Sequence, residues 1–147
     1  MKLSIGCDHG ALALKNTLIA HLEAQGHEVK DFGTYTADSS DYPDFAAAAA
    51  RAVASGECEK GIVQCTTGLG VSITANKIKG IRCALLSDSF TARMTRLHND
   101  TNMMALGAGV VGENLALEIT DTWLGTAFSG EERHQRRSDK LMALEQE

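Results

Sequence analysis

The sequence predicts an α/β fold: a five-stranded parallel sheet covered by helices on both faces. Three observations carry this prediction. Five short, nearly continuous apolar runs punctuate the chain. Helical patterns alternate with those runs. The length, 147 residues, suits one domain, taken here as residues 1–147.

The first strand is Leu3 to Cys7. A helix follows over about Gly10 to Gln25, with Leu14, Leu18 and Leu22 at i, i+4, i+8 on one stripe and Gly26 as a C-terminal stop. Strand two covers His27 to Gly33, and the polar stretch Thr34 to Asp41 is a loop. Pro43 sits in the first turn of the next helix, whose alanine-rich run Phe45 to Ala54 suits close packing. Strand three is Gly61 to Cys65, and a helix over Val71 to Ile78 follows the turn after it. Strand four is Arg82 to Ser87. The helix from Asp88 to His98 places Phe90, Met94 and Leu97 on one face. Strand five is Met103 to Ala108. A helix opening at Gly112 carries Leu115, Ile119 and Trp123 in register, and a charged helix over His134 to Gln146 ends the pattern.

Composition narrows the function. A net charge of −5 argues against a nucleic-acid partner but not against a small phosphorylated ligand, for which a few arginines suffice. A single proline argues against linker-rich architecture. No signal-peptide pattern and no run of membrane-spanning length is present, so a cytoplasmic location without membrane association is expected. Cys7, Cys58, Cys65 and Cys83 form no C-x-x-C pair and read as reduced thiols.

A parallel sheet binds ligands beyond the carboxyl ends of its strands. That rule selects Asp8 and His9, the segment Cys65 to Gly70, Ser87 and Asp88, and Gly107 to Gly109. The segment Cys65-Thr66-Thr67-Gly68-Leu69-Gly70-Val71-Ser72 is the most informative. A strand-end cysteine followed by a glycine turn and a helix N-terminus is a setting that lowers a thiol pKa and stabilises an oxyanion. The alternative is a buried structural cysteine before a tight turn. The segment is not a Walker loop, a dinucleotide fingerprint or a thiol-phosphatase loop, since Ile73 and Val71 stand where a glycine and an arginine would be needed.

Three weaker sets remain. Asp8 and His9 are titratable groups at a strand end, or a cap and a surface histidine. His98 with Asn99 offers an acid and an orienting amide, or a polar loop. Arg133 and Arg137, i and i+4 on a helix, make a phosphate clamp or a solvated face. Asp8, His9, Cys65 and His98 are acceptable zinc ligand types, but their spacing matches no metal motif, so no metal or cofactor is expected.

Taken in order, Gly6-Cys7-Asp8-His9-Gly10, Asp41-Tyr42-Pro43, Cys65 to Gly70, Ala75-Asn76-Lys77, Gly80-Ile81-Arg82, His98 to Asn102 and Arg133-His134-Gln135 resemble the type B ribose-5-phosphate isomerases, whose wider family includes galactose-6-phosphate isomerase subunits. The resemblance implies a Rossmann-like three-layer α/β/α sandwich. It implies a homodimer with shared active sites, and leaves open whether dimers pair into tetramers. The implied activity interconverts D-ribose 5-phosphate and D-ribulose 5-phosphate through an enediolate, with no metal in any step. By position, Cys65 is the base, His98 the ring-opening acid and Thr67 a proton relay. Asp8 assists His98 or contacts substrate. His9, Tyr42, Thr66, Gly68, Leu69, Gly70, Ser72 and Asn99 are further substrate contacts, and Arg133 and Arg137 hold phosphate.

Two positions depart from the family pattern. Its phosphate-binding arginine after strand five falls at Gly109, and Thr66 replaces a glycine. Either Arg133, Arg137 and Arg136 compensate, or the preferred sugar is another: a hexose 6-phosphate, a tetrose phosphate or an unphosphorylated aldose. A non-catalytic phosphate- or nucleotide-binding module is the alternative from another class.

Overall fold

The computed structural model describes all 147 residues. Five parallel strands, β1 (Lys2–Cys7), β2 (Glu28–Asp31), β3 (Lys60–Cys65), β4 (Cys83–Leu85) and β5 (Met103–Gly107), lie in the order β2-β1-β3-β5-β4. Six α-helices connect and follow them: α1 (Leu12–Ala24), α2 (Tyr42–Ala54), α3 (Leu69–Asn76), α4 (Ser89–Asn99), α5 (Glu113–Leu124) and α6 (Glu132–Ala143). The predicted three-layer sandwich is therefore the observed one.

Side chains alternate across the strands and build two cores. Leu3, Ile5, Ile62, Met104 and Leu106 face the α1 and α5 side, where Leu14, Leu18, Leu22, Ile119 and Trp123 pack on them. Val63, Cys65, Met103 and Ala105 face α2 and α3. The alanines Ala46, Ala49 and Ala50 are fully buried, and α2 lies so close to the sheet that a Cβ at Gly6 would fall 2.9 Å from the Phe45 carbonyl oxygen. Each fully buried leucine contributes about 1.5–3 kcal/mol, so the α1 stripe alone holds that helix firmly.

The predicted elements differ from the observed ones mostly at their ends. The first turn of the first predicted helix is a 3-10 turn, His9–Ala11, capped by Asp8, whose Oδ1 accepts the Gly10 N–H at 2.9 Å. Helix α3 begins at Leu69 rather than Val71 because Gly68, at φ 78°, turns the chain straight into it. Strand β4 is three residues, shorter than the six predicted. On its free side the Asn76 amide bonds both backbone groups of Cys83, accepting its N–H at 2.8 Å and donating to its carbonyl at 2.9 Å. In α4 the buried face is Ala92, Thr95 and Arg96, whereas Phe90 is 61% exposed.

Two buried charges organise this frame. Lys15, fully buried on the leucine stripe, donates to both Asp31 carboxylate oxygens at 2.7 and 2.9 Å and to the Thr34 carbonyl at 2.5 Å. Arg96 donates to Asp100 Oδ1 at 2.9 Å and to the Thr101 and Thr126 carbonyls. With Arg82, which donates to the Asn99 and Asp100 carbonyls, it clamps the turn after α4.

Candidate active site

The sheet order reverses direction between β1 and β3, which opens a crevice above their carboxyl ends. Cys65 closes β3 there and Asp8 follows β1, the two joined by an Asp8 N–H bond to the Gln64 carbonyl. Cys65 is buried, and its Sγ accepts the Gly68 N–H at 3.1 Å. That N–H belongs to the residue capping α3, so the sulfur rests against the positive end of a helix. Thr67 Oγ1 lies 4.0 Å from the sulfur and accepts the Leu69 N–H. Of the other thiols, burial pushes Cys7 up to about 11 and Cys83 up to about 12.

Of the five N–H groups from Gly68 to Ser72, three are already engaged. Gly68 serves the sulfur, Leu69 serves Thr67, and Ser72 donates to the Gly68 carbonyl. The Ser72 hydroxyl donates to the Leu69 carbonyl and its side chain is buried, so its polar groups are engaged within α3. Of these five, the N–H groups of Gly70 and Val71 have no partner. Tyr42 lies over Gly70, where a Cβ would meet its ring at 2.6 Å.

His9 is exposed on the other side of the crevice, its Nδ1 accepting the Ser40 N–H at 3.1 Å. Its Nε2 is thereby the ring nitrogen that faces outward. Thr66 is exposed and wedged between two glycines: a Cβ at Gly10 would be 2.3 Å from its Oγ1, and one at Gly109 3.1 Å from its Cγ2.

The remaining candidates gather elsewhere. His98, Asn99, Arg133 and Arg137 line one cavity of about 410 Å³ with His134, Ser138 and Leu141. Thr95 donates to Asn99 Oδ1, leaving the Asn99 NH₂ group outward. Arg133 pairs with Glu131 at 3.1 Å, whereas Arg137 has no ion pair. Arg136 grips Glu132 and does not line that cavity. Within one chain, Cys65 and His98 therefore share no cavity, and Asp8 makes no contact with His98. No three His, Cys, Asp or Glu side chains are gathered as a metal ion would require. The sequence reading passed over His134, buried beneath Arg133 and Arg137; its place in a charged helix gave no sign of burial.

These two clusters sit on a chain whose relatives are well defined. The ribose/galactose isomerase family model matches residues 3–141. The chain is 47% identical to ribose-5-phosphate isomerase B of Escherichia coli, covering 99% of this chain and 97% of that one. It is 40% identical to a D-erythrulose-4-phosphate isomerase of Pectobacterium atrosepticum, over 88% of this chain and 86% of that one. Among solved structures, ribose-5-phosphate isomerase B of Clostridium thermocellum superposes with a TM-score of 0.97 at 53% identity, covering 99% of this chain and 98% of that one. On its sequence and its fold, the chain belongs to the ribose/galactose isomerase family.

Proposed function

We propose that this aldose–ketose isomerase interconverts D-ribose 5-phosphate and D-ribulose 5-phosphate, with Cys65 as the base. The observation that carries the assignment is the Cys65 sulfur held 3.1 Å from the Gly68 N–H, beside two unpartnered amide donors.

The sugar opens first. His98, protonated, gives a proton to the ring oxygen as the C1–O bond breaks, and the anomeric hydroxyl releases its proton to Asp8 or water, leaving the C1 aldehyde. The Cys65 thiolate then takes the proton from C2. Charge moves onto the C1 oxygen, where the Gly70 and Val71 N–H groups stabilise it; one such donor is worth about 3–4 kcal/mol. Thr67 passes the O2 proton to O1, and the thiol returns its proton to C1, giving the ketose. Arg133 and Arg137 hold the phosphate, which keeps the open chain in place.

His98 comes from a second copy of the chain in this reading. Around the Cys65 turn the surface exposes Leu69 (54%), Ile73 (59%), Leu85 (41%) and Phe90 (61%), an apolar patch suited to burial in a dimer. The dimer joins one chain's thiol to its partner's imidazole and arginines.

The test is an isomerase assay on the Cys65→Ala and His98→Asn variants, separately and mixed. Cys65→Ala loses turnover, and His98→Asn falls to the small, measurable rate supported by sugar that opens unaided, both while staying folded. A mixture that exchanges subunits regains about a quarter of wild-type activity, since half the dimers then hold one intact site. Full activity in Cys65→Ala refutes the base, and no recovery on mixing refutes the shared site.

A second reading keeps the chemistry and changes the sugar. Gly109 and Thr66 favour it, and the erythrulose-4-phosphate isomerase relative shows that family members named for other sugars exist. Comparing ribose 5-phosphate, allose 6-phosphate, a tetrose phosphate and free ribose decides between them.

A further inference from the structure

A second imidazole stands directly behind His98. The two rings of His98 and His134 lie 4.4 Å apart, tilted by 37°. His98 is exposed on the last turn of α4 and makes no hydrogen bond that fixes its ring. His134, on the first turn of α6, is 6% exposed and firmly held. Its Nδ1 is 2.8 Å from Ser129 Oγ. That hydroxyl accepts the Glu131 N–H at 3.3 Å, which leaves its own proton for Nδ1. The Ser129 N–H in turn bonds the Leu97 carbonyl at 3.3 Å, one residue before His98. The result is a closed circuit: α4 backbone, Ser129, His134 ring, His98 ring. Burial, reinforced by the positive groups of His98, Arg133 and Arg137, holds the His134 pKa below the ordinary histidine range. A neutral ring is the better support for a neighbour that must carry charge.

We propose that His134 is a positioning residue, a ring fixed through Ser129 that braces the His98 imidazole in the orientation from which it protonates the sugar's ring oxygen. The proposal rests on the isomerase reading above. It separates His134 from Arg133 and Arg137 on the same helix: those two serve the phosphate, whereas His134 serves only ring opening.

Sugar chemistry supplies the test. Ribose 5-phosphate is almost entirely cyclic in water. Erythrose 4-phosphate has no hydroxyl placed to close a five- or six-membered ring, so its isomerisation needs no ring opening. Removing the brace, His134→Ala, should lower kcat/KM for ribose 5-phosphate roughly tenfold to hundredfold, as displacements of catalytic groups by about 1 Å do. It should leave kcat/KM for erythrose 4-phosphate within about threefold, whereas a loosened helix or a damaged phosphate clamp lowers both. His134→Phe keeps a flat ring behind His98 but cannot take the Ser129 bond, so it should lose the ribose 5-phosphate rate as Ser129→Ala does. In a His98→Asn background, His134→Ala should cost nothing further, because the group it braces is gone.

Equal losses on the two sugars, or losses that add in the double variant, overturn the proposal. If His134→Ala does not fold, Ser129→Ala frees the same ring and is read the same way. If the tetrose is turned over too slowly to measure, additivity on ribose 5-phosphate decides alone. Failure of the isomerase reading looks different, since the wild-type protein then turns over neither sugar.

Discussion

Installing arginine at position 109 tests how the crevice handles phosphate, and the structure sets the size of the effect. Gly109 follows β5, and its N–H donates to the Thr66 carbonyl at 2.8 Å. Its φ lies outside the left-handed region, so a side chain meets no torsional penalty. The obstacle is space: a Cβ there falls 3.1 Å from both Thr66 Cγ2 and the Thr66 carbonyl oxygen. Contacts that tight by a few tenths of an ångström cost about 1 kcal/mol, the low end for overpacking. A guanidinium on a phosphate returns about 1.5–3 kcal/mol. Gly109→Arg alone should therefore lower KM for ribose 5-phosphate roughly twofold to thirtyfold. Adding Thr66→Gly removes the Cγ2 contact but not the backbone one, and should bring the gain to roughly fivefold to seventyfold. Free ribose is the control, and its KM should not change in either variant. A KM for ribose 5-phosphate that stays within about twofold in both variants refutes position 109 as a phosphate handle. A single variant as good as the double refutes the steric coupling to Thr66.

Three further outcomes follow from geometry already described. Arg137→Ala should raise KM for phosphorylated sugars roughly tenfold or more, while Arg136→Ala, whose guanidinium grips Glu132 on the other side of α6, leaves steady-state kinetics unchanged. Asp31→Ala strands the fully buried Lys15 ammonium and should cost about 3–5 kcal/mol, read as a fall in Tm of roughly 6–20 °C by calorimetry. Burial raises the Cys7 thiol to about 11, so the folded chain keeps that proton after the unfolded chain has released it. Below about pH 9 stability should be intact; between about pH 9 and 11 Cys7 should remove about 1.4 kcal/mol per pH unit, and Cys83, raised to about 12, should add a like decline. Cys7→Ala should lessen that decline by about 1.4 kcal/mol per pH unit in denaturant titrations, and an unchanged slope would show that Cys7 does not contribute.

The architecture was largely readable because its signal is local. An apolar run such as Gly61 to Cys65 and a stripe such as Leu14, Leu18 and Leu22 state their period within a few residues. So did the thiol at a strand end before a glycine turn. What the sequence concealed depends on contacts between distant segments. Lys15 occupies a core position only because Asp31 and the Thr34 carbonyl wait for it. Phe90 reads as a core residue and faces outward, while the polar Thr95 and charged Arg96 turn inward to bind the next loop. His134 looks like one more polar residue until Ser129 and His98 are seen around it. The separation of Cys65 from His98 within one chain was implied only by the family resemblance, since chain order says nothing about which side of the sheet each helix covers.

The Asn76 amide at β4 carries a consequence beyond its own two bonds. An open sheet ends in a margin whose unpaired amides and carbonyls invite any extended peptide to add a rung. At Cys83 both invitations are already answered by a side chain that mimics the missing neighbour. A peptide laid along this edge would thus find no free backbone pair at Cys83, and the exposed Leu85 and Phe90 nearby offer it side-chain packing, which demands a matching shape, in place of a rung there.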